Sequence, residues 1–318
     1  DVMIGDHGQI TLRIATDGQV AGQNFRSSLV TRVESTFAGI NGGVDYIEGN
    51  LGRDVLIGGD AGDTLYGESS VDALLLTQVD GDDVILGDNG LIRFDVESDE
   101  GIAGAGDGID RTLDLVLSRD TTFGDNDFIY GGDGNDLMIG GVGADIILSD
   151  NGPDATGLVP AGTVATNSNE DGNDVAIGDH GRITLKAGGI DSENDQDFRS
   201  SLVSRVESID AGISGGADYI EGSKGRDILI GGDDADTLYG ESSVIDYLYQ
   251  VDGDDIILGD NGLIRFDVKS GDGIAGAGDG IDRTLDLVLS RDTTIGGNDF
   301  IFGGDGDDLM IGGVGADT

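Results

Sequence analysis

The chain has 318 residues, 63 Asp+Glu against 17 Lys+Arg, and a formal net charge of −46. That balance excludes ordinary nucleic-acid binding and attachment to anionic membranes, because both need a basic patch that this chain has too few cations to build. With 59 Gly, 2 Pro, no Cys and no Trp, long helices are disfavoured, no apolar run of about 18 residues exists to span a membrane, and the expected partners are cations.

The first element, Asp1-Val-Met-Ile-Gly-Asp-His-Gly, returns as Asp174-Val-Ala-Ile-Gly-Asp-His-Gly, an offset of 173 that becomes 172 after a one-residue deletion near Val244. Fixed-period similarity of this kind marks a repeat architecture. A finer period follows the aspartates that open Asp-x-apolar-x-Gly segments: Asp1, Asp45, Asp54, Asp63, Asp83, Asp127, Asp136, Asp145, Asp174, Asp218, Asp227, Asp236, Asp255, Asp299, Asp308 and Asp317. Their spacings of 44, 9 and 9 recur and divide the chain into four units, 1–82, 83–173, 174–254 and a truncated 255–318. Each has a lead turn, a long excursion, then three turns nine residues apart.

In the lead turns an aspartate (Asp6, Asp88, Asp179, Asp260) stands where a second glycine is usual, and His-Gly or Asn-Gly follows, a tight-turn signature. The chain is therefore expected to reverse into a second strand. Ile10, Leu12 and Ile14 alternate, as do Ile92, Phe94 and Val96, and a returning strand is expected where Leu113, Leu115 and Leu117 alternate with Thr112, Asp114 and Val116. Leu29, Val30 and Val33 occupy the corresponding place in the first unit. Each excursion thus reads as a β-hairpin arm, although Arg26–Ser35 also admits a helix. Tips such as 101–108 are glycine-rich, and 153–172 has the composition of a flexible loop.

The turns after each arm carry the chemistry. Gly131-Gly132-Asp133-Gly134-Asn135-Asp136-Leu137-Met138-Ile139 runs directly into Gly140-Gly141-Val142-Gly143-Ala144-Asp145-Ile146-Ile147-Leu148. Six turn-formers precede a three-residue strand. The glycines permit positive φ and bare their carbonyls, while the closing aspartate adds a carboxylate at the strand entrance. Stacked turns would line a cleft with oxygen, and hard oxygen ligands without His or Cys select Ca²⁺ over zinc or copper.

These nonapeptides resemble the RTX family, the haemolysin-type calcium-binding repeat Gly-Gly-x-Gly-x-Asp-x-apolar-x, as do Gly303–Met310 and Gly312–Asp317. The resemblance implies a right-handed parallel β-roll, a β-solenoid with several Ca²⁺ ions held between turns; the expected fold is all-β, with hairpin arms inserted between runs of turns. The foremost candidate ligands are Asp127, Gly131, Asp133, Asp136, Gly140, Gly143 and Asp145, with Asp299, Gly303, Asp305, Asp308, Gly312 and Asp317. Asp45, Asp54, Asp60, Asp63, Asp83, Asp174, Asp218, Asp227, Asp233, Asp236 and Asp255 follow. Where the pattern lapses, at Ala61, at Asp234-Ala235 and in Gly49-Asn50-Leu51-Gly52-Arg53-Asp54, weaker binding is expected, and Arg53 and Arg226 offer a charge in place of the cation.

Residues flanking the middle of each strand are often apolar as well: Val55, Ile57, Val84, Leu86, Phe128, Tyr130, Leu137 and Ile139. Strands apolar on both faces are usually covered on both, so the arms or a neighbouring chain are expected to pack there. The two histidines, His7 and His180, exchange with Asn89 and Asn261, which favours a backbone role. No thiol or His-Glu-x-x-His motif suggests an enzyme. Gly104-Ala-Gly106 lacks the lysine of a phosphate loop, and Asn167-x-Asn169-x-Asp171-Gly172 lacks the closing Glu of an EF-hand, where Gly178 stands.

The expected function is that of a calcium-binding structural segment of a large secreted or surface protein, a stalk, adhesin shaft or filament that folds on binding Ca²⁺. Its partners would be calcium, further repeats, and copies of itself set head-to-tail or laterally. Family resemblance implies extracellular placement by type I export. The alternative is the calcium-binding tail of an RTX enzyme or toxin.

Overall fold

The computed structural model describes residues 1–12, 30–68, 81–96, 100, 102, 112–149, 172–185, 203–241, 253–268, 272, 274 and 284–318. Among these there is no helix. The strands in chain order are β1 (Val2–Ile4), β2 (Gly8–Leu12), β3 (Val30–Ser35), β4 (Tyr46–Glu48), β5 (Val55–Gly59), β6 (Thr64–Tyr66), β7 (Val84–Asp88), β8 (Gly90–Arg93), β9 (Leu115–Ser118), β10 (Phe128–Tyr130), β11 (Leu137–Ile139) and β12 (Ile146–Leu148). They continue as β13 (Val175–Ile177), β14 (Gly181–Leu185), β15 (Val203–Ser208), β16 (Tyr219–Glu221), β17 (Ile228–Gly232), β18 (Thr237–Tyr239), β19 (Ile256–Asp260), β20 (Gly262–Arg265), β21 (Leu287–Ser290), β22 (Phe300–Phe302) and β23 (Leu309–Ile311).

Three sheets result. A parallel middle sheet runs β1-β5-β7-β11-β13-β17-β19-β23, a parallel outer sheet runs β4-β6-β10-β12-β16-β18-β22, and an antiparallel arm sheet runs β2-β3-β8-β9-β14-β15-β20-β21. The chain visits middle, arm, arm, outer, middle, outer, and repeats. Register is set by the repeat: Val84 pairs with Leu137 and Leu137 with Val175, so like positions stack on like.

The central residue of each short strand points into the roll. Leu56, Ile85, Met138, Ala176, Leu229 and Ile257 of the middle sheet meet Ile47, Leu65, Ile129, Ile147, Ile220 and Leu238 of the outer sheet in one core. The flanking residues of the middle sheet face the other way. Val55, Ile57, Val84, Leu86, Leu137 and Ile139 are buried in a second core against Val33, Ile92, Phe94, Val116, Ile183 and Val206 of the arms. The arms are therefore the cover that the two-faced apolar strands require. Each Val, Leu or Ile buried there contributes about 1.5–3 kcal/mol relative to exposure.

Adjacent arms also pair with one another, β3 with β8, β9 with β14 and β15 with β20, so the arm sheet is continuous along the roll. Three expectations are corrected. The described part of Arg26–Ser35 is strand β3, because Val30 and Val33 are needed in the second core, and Arg26–Leu29 lies outside the described residues. In the returning strand Val116, not Leu115 or Leu117, turns toward the middle sheet, because the chain is offset at Asp114, whose carboxylate accepts the Val96 N–H at 3.0 Å. Phe128 and Tyr130 lie on the outer sheet, away from the arms, where each packs against Tyr66 with tilted rings, centroids 5.7 Å apart. The arm tip 101–108, apart from Ile102, and the 153–172 loop, apart from Gly172, fall outside the described residues.

Candidate metal centre

Both edges of the roll carry a column of aspartates, one per rung. Where the chain passes from outer to middle sheet, each aspartate donates its backbone N–H to Oδ1 of the next. Asp54 donates to Asp83 at 2.8 Å, Asp83 to Asp136 at 2.8 Å, Asp136 to Asp174 at 2.7 Å, Asp174 to Asp227 at 2.8 Å, Asp227 to Asp255 at 2.9 Å and Asp255 to Asp308 at 3.1 Å. On the opposite edge the column is Asp45, Asp63, Asp127, Asp145, Asp218, Asp236, Asp299 and Asp317, linked in the same way at 2.6 to 3.2 Å. The nine-residue spacing produces this because each turn enters its strand at the same carboxylate.

One oxygen of each carboxylate is thus used in holding the rungs in register. The other tests what the site can hold. Oδ2 of Asp45, Asp54, Asp63, Asp127, Asp136, Asp145, Asp218, Asp236 and Asp299 is buried with no hydrogen-bond partner. A buried polar atom left in this way costs about 1–3 kcal/mol, and more when charged. Each such oxygen lies beside the first glycine of a turn. A Cβ built on Gly140 would sit 2.2 Å from Asp145 Oδ2 and 2.3 Å from the Gly178 carbonyl oxygen, and one on Gly231 would sit 2.1 Å from Asp236 Oδ2 and 2.2 Å from the Gly259 oxygen. Gly131, facing Asp136 Oδ2 and the Ser149 oxygen, repeats the arrangement on the other edge. Glycine is required there because a side chain would occupy the space between carboxylate and carbonyl.

Among the described residues no three acidic or imidazole side chains converge. Any cation between rungs would rest on main-chain carbonyls supplemented by a carboxylate, a donor set that suits Ca²⁺ and not a transition metal. The residues fit the ion.

Electrostatics makes the requirement severe. Rungs in a sheet are roughly 4.8 Å apart, and at an effective dielectric of 20 two like charges at that separation repel by about 3.5 kcal/mol. Burial, with neighbouring carboxylates adding to it, pushes Asp63 up to about 7, Asp236 to about 9 and Asp299 to about 6. Asp127, Asp136, Asp145 and Asp218 are also held above the usual carboxylate range, by burial first. Raising an aspartate from 3.8 to about 7 corresponds to about 4 kcal/mol. A metal-free roll at neutral pH must therefore bear either protons or unbalanced charge in every rung. The sequence concentrates the problem: 14 of its 17 basic residues lie within the excursions 8–44, 90–126, 181–217 and 262–298, leaving the roll itself almost purely acidic.

The turns that depart from the consensus keep the same shape. Ala61 and Asp234, in the fourth position, take φ of +67° and +61°, and Asn50 and Ser223 take positive φ in the second. Their glycines Gly58, Gly49 and Gly231 still face Asp63, Asp54 and Asp236 Oδ2. Arg53 reaches Asp82 Oδ2 at 3.9 Å, one residue before the column aspartate Asp83. Arg226 donates its backbone N–H to Asn173 Oδ1 at 2.9 Å. Asp60 and Asp233 stand apart from both columns: Asp60 accepts the Gly39 N–H and the Asn89 side-chain N–H, and Asp233 those of Gly212 and Asn261. Asp133 is buried, whereas Asp305 is exposed and donates its N–H to Glu241 at 3.2 Å. Gly143 takes φ +107° and donates to the Ser214 carbonyl at 3.0 Å.

A set of acids outside the consensus has a separate role. The lead aspartates Asp6, Asp88, Asp179 and Asp260 accept the N–H of Asp60, Val142, Asp233 and Val314, in the third position of the following turn. Glu241 does the same for Asp305 on the other edge, and Glu68 is placed likewise over Gly132. The signal was in the sequence, since Gly67-Glu-Ser-Ser and Gly240-Glu-Ser-Ser recur 173 residues apart. His180 Nε2 meets the Ile213 carbonyl at 2.9 Å, and Asn89 donates to the equivalent Phe123 carbonyl at 3.3 Å. Burial lowers the His180 pKa, consistent with a neutral ring in this turn.

In-register rungs with carboxylate and carbonyl oxygens facing each other in every turn define a parallel β-roll built to bind metal. The chain carries RTX repeats: the model of the RTX calcium-binding nonapeptide repeat matches it in four copies, at residues 40–74, 121–155, 213–242 and 296–318. RTX nonapeptides bind Ca²⁺, and this chain carries several. No curated protein and no solved structure gives a significant match.

Proposed function

We propose that the chain is a calcium-dependent structural segment of a large extracellular protein, a shaft that is flexible and unfolded where Ca²⁺ is scarce and becomes a rod where it is plentiful. The single observation that carries this reading is the pair of aspartate columns, in which Asp45, Asp54, Asp63, Asp127, Asp136, Asp145, Asp218, Asp236 and Asp299 each keep a buried oxygen with no hydrogen-bond partner. Metal that binds only the folded chain stabilises it by mass action, and here folding without it would bury like charges at every rung. Asp54, Asp63, Asp83, Asp127, Asp136, Asp145, Asp174, Asp218, Asp227, Asp236, Asp255 and Asp299 would hold the ions together with the first-position glycines and their carbonyls. Bound calcium supplies charge neutralisation, and no reaction is assigned to it.

The shaft reading gains support from the arm sheet, which pairs each arm with the next and so stiffens the roll along its whole described length. The tail of an RTX enzyme or toxin would need calcium equally but not this bracing. Secretion through a type I route accords with the repeat class. Circular dichroism of the chain at pH 7, first in chelator and then in millimolar Ca²⁺, tests the proposal: at that pH β-structure should appear only with the ion. A spectrum unchanged by calcium would overturn it.

A further inference from the structure

Four Asn-Gly pairs occur in the chain: Asn41-Gly42, Asn89-Gly90, Asn151-Gly152 and Asn261-Gly262. Asparagine is a thermolabile residue, most of all before glycine, which sets no side chain in the way of attack by its own backbone nitrogen. Asn151-Gly152 lies outside the described residues. The fold treats the other three in two ways.

Asn89 and Asn261, in the lead turns, are 3% and 1% exposed. Their side-chain amides donate to Asp60 at 2.8 Å and to Asp233 at 2.7 Å. The glycine nitrogens are held as well, since Gly90 donates its N–H to Ser35 Oγ at 2.8 Å and Gly262 donates to Ser208 Oγ at 3.0 Å. The amide under attack and the attacking atom are thus both fixed and closed to water. Asn41, at the root of the first arm, is exposed with φ +57°, and neither its side chain nor the Gly42 N–H makes a hydrogen bond. No sister unit places asparagine there; the equivalent residues are Phe123, Ser214 and Ile295.

We infer that Asn41 is a self-modification site, with water as its only co-reactant. The Gly42 nitrogen bonds to Asn41 Cγ, the Cγ–Nδ2 bond breaks, and Nδ2 leaves as ammonia with the proton from Gly42. Water then adds to either carbonyl of the five-membered imide and breaks its bond to the Gly42 nitrogen, which regains a proton. The products are aspartate and isoaspartate. The surroundings give the change a consequence. A Cβ on Gly42 would lie 2.2 Å from Asp6 Oδ2 and 2.3 Å from Asp60 Cβ, and Gly43 donates its N–H to Asp6 Oδ1 at 3.1 Å. An isoaspartyl link lengthens the main chain by one carbon beside these contacts and adds a carboxylate to a turn that already holds two. The Gly43 bond to Asp6 is lost, and the root of the first arm opens.

The chain is aged in mildly alkaline buffer with calcium, and isoaspartate is located by peptide mapping. Asn41 should react at least about ten-fold faster than Asn89 or Asn261, whose reaction awaits local opening of the fold. Equal rates at the three sites, or an unreacted Asn41, would overturn the inference. Asn41→Ser copies Ser214, which holds φ +58° at the same place, and so suits the turn. By circular dichroism the calcium midpoint of the aged parent should rise, and that of aged Asn41→Ser should not. An aged parent that matches the fresh chain, or a variant that shifts as far as the parent, would overturn the opening of the arm root. The protection of Asn89 and Asn261 rests on the reading that the roll folds with calcium, and ageing in chelator separates the two: all three sites should then react. Asn89 and Asn261 protected in chelator would bring down the calcium reading and leave Asn41 standing.

Discussion

Asp145 Oδ1 accepts the backbone N–H of Asp127 at 2.8 Å, whereas its Oδ2 has no partner and is buried beside Gly140. One side chain thus holds register with one atom and offers the other to the ion binding proposed for it, and substitution can divide the two. In Asp145→Asn the remaining carbonyl oxygen keeps the hydrogen bond from the Asp127 amide, but the oxygen proposed as ligand becomes an NH₂ group. The calcium midpoint of folding should rise several-fold by circular dichroism. In chelator the same change should stabilise compact states, since it removes a buried charge. Equal effects with and without calcium would show that Asp145 acts only through its backbone contact.

The first-position glycines and the fourth-position residues should respond in opposite directions. Gly140 does not have positive φ, so alanine suits its backbone and Gly140→Ala tests only the space, which its Cβ would take from Asp145 Oδ2 and the Gly178 oxygen. It should lose calcium affinity at that rung. Ala61 holds φ +67°, a conformation costing an L-residue roughly 1–2 kcal/mol, part of which glycine returns as unfolded-chain entropy. Ala61→Gly should therefore stabilise the calcium-loaded chain by about 0.5–1 kcal/mol in denaturant titration. A neutral Gly140→Ala would argue that no ion occupies that rung.

The roll was legible in the sequence because its determinants are local. Each Asp-x-apolar-x-Gly step fixes a turn, a three-residue strand and an inward side chain, so Asp136 and Met138 could be placed before any coordinates. Apolar flanks such as Val55 and Leu137 likewise announced a cover. What covers them was not legible, since the pairing of β3 with β8 joins residues about 60 apart and depends on packing, not on a turn signal. The phase of β9 failed for a related reason: Asp114 bonds to Val96 across the arm, and that long-range bond shifts the alternation by one residue. Consensus-matching also ranked Asp127–Asp145 above Asp63 and Asp236, whereas the backbone accommodates Ala61 and Asp234 in the left-handed region and preserves the same oxygen arrangement.

The pH dependence has a definite sign. In the metal-free fold, burial raises Asp299, Asp63 and Asp236 to about 6, 7 and 9, against an ordinary aspartate value of 3.8. A raised carboxylate binds more protons folded than unfolded, so the metal-free fold loses stability as pH climbs from about 4 through those values. Acidifying the chain in chelator from pH 7 toward 4 should thus recover β-structure. Adding calcium at pH 7 should release almost no protons, because the unfolded chain is already ionised. Release of several protons per chain, measured in weak buffer, would show that the metal-free chain was folded and protonated at the outset.

The arms contain none of the column aspartates, yet they should control calcium response. Ile92 and Ile183 are fully buried at the arm-to-middle-sheet interface. Ile→Ala at such a site costs about 2–5 kcal/mol, by lost transfer energy and by the cavity left behind. Because ion binding and folding draw on one free energy, Ile92→Ala should raise the calcium midpoint although the nonapeptide turns are untouched. The loss should be similar for Ile183→Ala, whose arm pairs with the preceding one through β9 and β14. Should both variants fold at the parental calcium concentration, the arm sheet would be an ornament on the roll and not part of its cooperative unit.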